Sequence, residues 1–353
     1  MSQWIIIPSY KYDLAAFCNL FTLHRTYQEL HQASWDRFRA LVEASPENVG
    51  LAQQLRGSGV IVSSALTAIF DSHDYNGLDI DEICSVMDDP HLRSTQLRSY
   101  FLDTGIMEPG DWDKYEPLMP MMSSLVKYVH SGGFLEFWQN RCLPEIQERC
   151  QEFEEESTEY PVIGLINELL GERYALREDT ITVYLCKHSA PHGTSLRGQG
   201  FVSDIRWELE NTVCIALHEL MHPPFDRRKI ARIAESLIAD ELVIWARSRL
   251  DEASYSTPLF FLEENIVEGA HIYLAEQLGL EQEPLQYFVD HDNATHVISP
   301  LVYDALCRWQ DDRLSLEQVV DRMVDQRLLE PGNIKPGYLE IYSRAMIDHP
   351  YKA

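Results

Sequence analysis

The sequence predicts a mostly helical chain with a small β component, an α+β fold. Two observations carry this. Apolar residues recur at three- and four-residue spacing through most of the chain, the period of a helix face. One stretch, TITVYLC at 180–186, is instead rich in β-branched residues and is followed by the Gly/Pro/Ser-rich loop KHSAPHGTSLRGQG. A length of 353 residues suits two domains and is enough to bury a core without disulfide or metal staples.

Taken in order, residues 11–45 predict helix, with Leu14, Phe17, Leu20 and Phe21 on one face. Residues 59–70, GVIVSSALTAIF, fit a buried helix or a strand, and residues 95–103 and 120–156 predict helix again. The acidic run EIQERCQEFEEES at 145–157 reads as a solvated helix end and marks a boundary. The expected organisation is therefore a helical region over 1–157, of unassigned role, and a second domain over 158–353. Within the second domain, residues 163–173 predict a short helix, 180–186 a strand and FVSDIRW a second strand. Residues 207–222, 228–249 and 258–279 predict helices, and 284–348 is mostly helical. Asp226 is placed to cap the helix that begins RRKIARIA.

Composition excludes several function classes. The formal net charge of −27 repels nucleic acid. No stretch reaches the ~20 apolar residues that span a bilayer, and the opening MSQWIIIPSYKYD lacks the basic start of a secretory leader. Seven cysteines without a C-x-x-C pair predict reduced thiols in a cytoplasmic protein. Among them, Cys214 reads as a small buried apolar residue. The acidic stretch DSHDYNGLDIDE at 71–82 superficially matches a calcium loop, but its glycine falls one position late, so it reads as an acidic turn.

The decisive stretch is CIALHELMHPPFD, 214–226, which holds His218, Glu219 and His222 as H-E-x-x-H. On a helix, positions i and i+4 share a face, so the two imidazoles can grip one cation. Glu219 is turned from that axis and can reach a water on the ion without being a ligand, the division of labour of metal-assisted hydrolysis. The apolar TVCIAL before it buries the helix, where unpaired imidazoles and a carboxylate are costly and a metal relieves that cost. Pro223 and Pro224 are expected to stop the helix.

A catalytic ion needs a third protein ligand. FFLEENIVEGAHIYLAEQLG, 260–279, carries E-G with Tyr273 five residues after Glu268. Together with H-E-x-x-H, this stretch resembles the gluzincin group of zinc metallopeptidases over residues 205–280. The resemblance implies a zincin-like domain with a small sheet, one Zn²⁺ per chain held by His218, His222 and Glu268, and Glu219 as catalytic base. It also implies a peptide or protein substrate pairing with strand 180–186 as the sheet edge; the loop after that strand could then bring His188 and His192 beside the substrate, although both read first as solvated loop histidines. Val267 stands where aminopeptidases of the group carry Asn, and no G-x-M-E-N-like segment precedes the motif.

Alternatives remain within the same residues. Glu264, one turn before Glu268, competes as ligand, leaving the other carboxylate to orient a histidine. Glu263 and Glu276 read as solvated, and His271 as a core or rim histidine. Glu219-x-x-His222 and Glu268-x-x-His271 also form two E-x-x-H pairs, half of a di-iron carboxylate site that would draw further carboxylates from Glu235 or Glu264. A non-catalytic zinc-binding regulator is the third reading. Candidates to stabilise an oxyanion are Tyr273, His291, His296, Tyr303, Tyr338 and Tyr342.

Overall fold

The computed structural model describes residues 2–57, 61–72, 80–103, 112–113, 115–222, 225–249, 257–291 and 294–351. Helices dominate, and among the described residues there is one four-stranded sheet, in the order β1 (Gln3–Pro8), β2 (Thr180–Cys186), β4 (Gly200–Asp204), β3 (Thr194–Leu196). The chain divides into two units. One comprises Trp4–Glu156 with Ile181–Glu208; the other comprises Met1–Gln3, Ser157–Thr180 and Leu209–Ala353. A division at 156/157 falls where the acidic helix ends. Residues 181–208, expected in the second domain, belong instead with the N-terminal region.

Strand pairing explains that difference. A strand must satisfy its backbone through neighbours, and β2 finds one in β1, which the sequence reading did not assign. β1 alternates: Trp4 and Ile6 are buried while Ile5 and Ile7 are more exposed. On its other side β2 runs parallel to β4, with Val183 opposite Phe201. β3 pairs antiparallel with β4, Thr194 opposite Val202. The connecting turn needs positive φ at Gly198 and Gln199, 66° and 57°. β2 is therefore an interior strand. The expectation that it offers a free edge to a substrate is corrected: β1 and β3 hold the edges.

Around this sheet, the helix Tyr10–Phe17 is capped by Ser9 and packs on Val62–Asp71, which resolves the ambiguous 59–70 stretch as helix over its described part. Residues 11–45 are not one helix. They break at Leu23, where φ is 54°, into Tyr10–Phe17, a 3₁₀ turn, Arg25–Leu30 and Gln32–Glu43. Residues 119–156 form a helical run loosened by wide turns at His130–Phe134 and Trp138–Cys142. Most of the calcium-like stretch, 73–79, lies outside the described residues.

The second unit is organised by the helix Pro258–Gln277, begun by Thr257 and Pro258. It is buried on nearly every face, as expected of a helix without a polar side. It packs on Leu209–Glu219, Arg227–Leu237 and Ser299–Trp309. Asn265 locks it to the chain ahead of the last of these: its Oδ1 accepts from Ile298 N–H at 2.9 Å, and its carbonyl accepts from Ser299 Oγ at 2.8 Å. Residues 228–249 form two helices rather than one, because Asp240 caps Glu241–Arg247 by accepting from Leu242 and Val243. Asp226 caps Arg227–Leu237, accepting from Arg228 N–H. No helix among the described residues is long and apolar enough to cross a membrane.

The glycine of the E-G pair has a packing reason. A Cβ at Gly269 would stand 2.6 Å from the Ser299 carbonyl and 2.8 Å from Val302 Cβ. Gly269→Ala is expected to destabilise the unit by about 1–3 kcal/mol through overpacking. Urea unfolding measures this; an unchanged midpoint would show that the two helices can part without cost.

Candidate metal centre

H-E-x-x-H straddles a helix end. Regular helix stops at Glu219, and tight i→i−3 turns carry the chain on: Met221 N–H donates to His218 O and His222 N–H to Glu219 O. The predicted helix to 222 is thus one turn too long. The sequence supplies the cause, because a residue before proline is driven out of the helical region, and His222 precedes Pro223. Pro223 and Pro224 themselves lie outside the described residues. Thr212, Val213, Ala216 and Leu217 bury the inner face of this helix, and the two imidazoles turn toward the helix Pro258–Gln277.

There they meet three carboxylates. Nε2 of His218 and Nε2 of His222 face each other at 3.2 Å. Glu264 closes the triangle, with Oε2 3.3 Å from the first and Oε1 3.7 Å from the second. The other ring nitrogens are each held from behind. His218 Nδ1 lies 2.9 Å from Glu268 Oε2, and His222 Nδ1 lies 3.1 Å from Glu263 Oε1. Glu263 is itself clamped by Arg227, whose Nε and Nη2 donate to its two oxygens at 2.7 and 2.9 Å.

This changes two expectations. Glu268, expected as the third ligand with Glu264 as its competitor, lies at Nδ1 behind His218; Glu264 is the carboxylate in front of the pair. Positions 264 and 268 share a helix face, but side chains lean toward the helix amino end, so each covers a different part of the motif. Glu263, expected in solvent, is 1% exposed. The apolar FFL and IV flanking it in the sequence were the available signal. Glu276, also expected in solvent, is exposed and accepts from Tyr303 OH at 2.8 Å.

The electrostatics of the cluster favour positive charge. Burial opposes a proton on His218, yet Glu264 and Glu268 outweigh it and raise its pKa well above the ordinary imidazole value. For His222, burial is again outweighed, first by Glu264 and then by Glu263, with Glu219 adding to the effect. Burial opposes the charge on Glu264, but His222, His218 and His296 draw its pKa down to about 2. Glu268 is held well below the usual carboxylate range, burial being outweighed by His271 and His218. Two Nε2 atoms 3.2 Å apart have room for one proton between them, whereas a metal ion binds both lone pairs.

Exposure is graded. The carboxylates behind the imidazoles are 1% and 5% exposed, whereas the Glu264 side chain is 21% exposed and those of His218 and His222 are 19% and 14%. The front of the cluster can therefore admit water, as a catalytic ion requires and a structural one does not. His271 lies behind this front, its Nδ1 3.3 Å from Glu268 Oε2 and its buried Nε2 without a hydrogen-bond partner among the described residues. Cys214 is half-buried, and its thiol is pushed up to about 12, first by burial and then by Glu268.

Of the six candidate oxyanion donors, His296 alone is tied to the cluster, through its charge on Glu264. Tyr273 lines a separate groove with Leu165, Leu169 and Trp309. His291 is exposed and stacks on Tyr287 at 3.9 Å. Tyr303 is engaged by Glu276, and Tyr338 and Tyr342 pack on each other in the core. His188 and His192, read as solvated loop histidines or as neighbours of a substrate, are held in the other unit, by Asp13 and Ser34 and by Tyr27.

Removing the Arg227 clamp is expected to be severe, because it strips a buried carboxylate of its counter-charge. Arg227→Met should lower stability by about 3 kcal/mol, read from denaturant unfolding. A loss under about 0.5 kcal/mol, the range of ordinary surface changes, would show that His222 alone neutralises Glu263. Comparison with known protein families, with curated proteins and with solved structures gives no match.

Proposed function

We propose that the chain is a zinc-dependent peptidase of the gluzincin kind, with His218, His222 and Glu264 as the protein ligands of one ion. The observation that carries this reading is the pair of Nε2 atoms 3.2 Å apart with the two Glu264 oxygens facing them, Oε2 3.3 Å from His218 and Oε1 3.7 Å from His222. Tetrahedral coordination at ordinary zinc–ligand lengths sets such separations at about 3.3 Å. The donor set of two imidazoles and one carboxylate is that of hydrolytic zinc sites, and a dication also satisfies the carboxylates that otherwise hold protons on the histidines. Glu268 and Glu263 then orient His218 and His222 through Nδ1, and Arg227 fixes Glu263.

The ion, when bound, supplies Lewis acidity and lowers the pKa of water at the site. The protein's own groups do the rest. Glu219 takes a proton from the attacking water and delivers it to the departing amine. His296, whose charge acts on Glu264, is the candidate donor to steady the negative charge on the former carbonyl oxygen. A cytoplasmic setting agrees with seven cysteines that form no disulfide.

One ion is favoured over the di-iron alternative by His218. A site built on Glu219/His222 and Glu268/His271 gives His218 no role, yet this residue is engaged on both ring nitrogens. Of the two carboxylates such a site could recruit, Glu235 is exposed and Glu264 faces His218 and His222.

Elemental mass spectrometry on untagged protein should find about one zinc per chain. Glu264→Ala and His222→Ala are expected to lose it, whereas Glu268→Ala should retain zinc with affinity lower by about 10–100-fold. Glu219→Gln should keep the metal and lose peptide hydrolysis by at least about 100-fold. Zinc retained in Glu264→Ala but lost in Glu268→Ala would return the third ligand to Glu268. Full hydrolysis by Glu219→Gln would sink the mechanism, and two irons per chain would replace it with redox chemistry.

A further inference from the structure

The other unit contains a second set of groups arranged for chemistry. Asp13 stands in the first turn of the helix after β1, and His188 lies two residues beyond β2. Both follow the carboxyl ends of their strands, where open sheets with parallel strands gather ligands. Asp13 Oδ1 receives the backbone N–H groups of Lys187 and His188 at 2.9 and 2.8 Å and meets His188 Nδ1 at 3.0 Å. The opposite nitrogen of that ring, Nε2, is 2.8 Å from the hydroxyl of Ser34. Ser34 lies in the first turn of the helix Gln32–Glu43, where backbone dipoles favour developing negative charge.

We propose that Ser34, His188 and Asp13 form a nucleophile, general base and positioning carboxylate for hydrolysis of short, uncharged carboxylic esters, independently of any metal. The connectivity is the one such chemistry requires: hydroxyl on one imidazole nitrogen, carboxylate on the other, which fixes the tautomer that accepts the hydroxyl proton. All three groups are buried, Asp13 at 0%, His188 at 1% and Ser34 at 5%, with the little exposure there is at the hydroxyl end. Phe17, Phe134 and Phe137 pack on the imidazole at centroid distances of 5.3, 5.7 and 6.5 Å, apolar and close surroundings that favour a small uncharged substrate over a charged one. Cys142 lies close by, but burial and the Asp13 charge push its thiol far up, so it stays neutral.

In the reaction, Ser34 Oγ bonds to the ester carbonyl carbon as its proton passes to His188 Nε2. The ester C–O bond then breaks, and the proton goes to the leaving oxygen to give the alcohol. Water, losing a proton to Nε2, attacks the acyl carbon and restores Ser34 with release of the acid.

A fluorophosphonate probe tests this on the full chain, with intact mass and peptide mapping as readout. Ser34 Oγ should displace fluoride and form one adduct, to the same extent with or without EDTA. Ser34→Ala should lack the adduct and hydrolyse p-nitrophenyl acetate at least about 100-fold more slowly. Asp13→Asn should slow labelling by at least about 100-fold, with partial recovery in Asp13→Glu. Mapping on the wild-type chain decides the matter even if a variant does not fold. No adduct on Ser34 of the folded chain, or one that persists in Ser34→Ala, would show that the network only secures the loop after β2. Equal labelling rates in Asp13→Asn and wild type would remove Asp13 from the relay. Loss of the zinc reading would leave every one of these outcomes unchanged.

Discussion

The second unit depends on the placement of three carboxylates, Glu263, Glu264 and Glu268, on a helix otherwise buried on nearly every face. Burying one unpaired carboxylate is prohibitive, so the surrounding elements supply cationic partners. Arg227 comes from the start of the helix Arg227–Leu237, His218 from the end of Leu209–Glu219 and His222 from the turn after it, and His296 from the chain ahead of Ser299–Trp309. The packing of these helices and the charge balance of the cluster are therefore one constraint: separating the helices would strand the charges.

Much of this was legible in the sequence, to within one helical turn. H-E-x-x-H after an apolar run located the paired histidines, and the 260–279 stretch located the carboxylate helix. The choice between Glu264 and Glu268 was not legible, because it depends on how far each side chain leans and on where the motif helix ends. That end was nearer than periodicity suggested, since the pre-proline restriction on His222 acts locally and pattern counting does not see it. Glu263 was misread because a single buried glutamate next to another glutamate looks like a solvated face until its arginine is found 36 residues upstream.

Both assigned strands are present, at Thr180–Cys186 and Gly200–Asp204, but their pairing was not legible, for a different reason. TITVYLC is recognisable as a strand by composition, but nothing within it names its partners. The partner at the start of the chain, WIII, is too short for periodicity to outweigh its plain hydrophobicity, although its alternation is visible once paired. Pairing across some 175 residues of sequence carries 181–208 into the first unit. The same return of the chain brings His188 to Asp13 and Ser34, a juxtaposition that no local motif announces.

Gly269 shows how closely fold and candidate site are joined. It directly follows Glu268, whose carboxylate orients His218, and it sits where the helix Pro258–Gln277 touches the Ser299 carbonyl and Val302. The bare Cα lets the two helices approach at this point. Asn265, one residue after Glu264, binds the chain at Ile298 and Ser299 from the same helix. Glu264 and Glu268 are thus each adjacent to a residue that fixes the helix against its neighbour. A shift of the helix would move both carboxylates together, loosening the front of the histidine pair and the support behind His218 at once. The precision that two imidazoles and a carboxylate need is supplied here by helix packing, one residue along from the groups that use it.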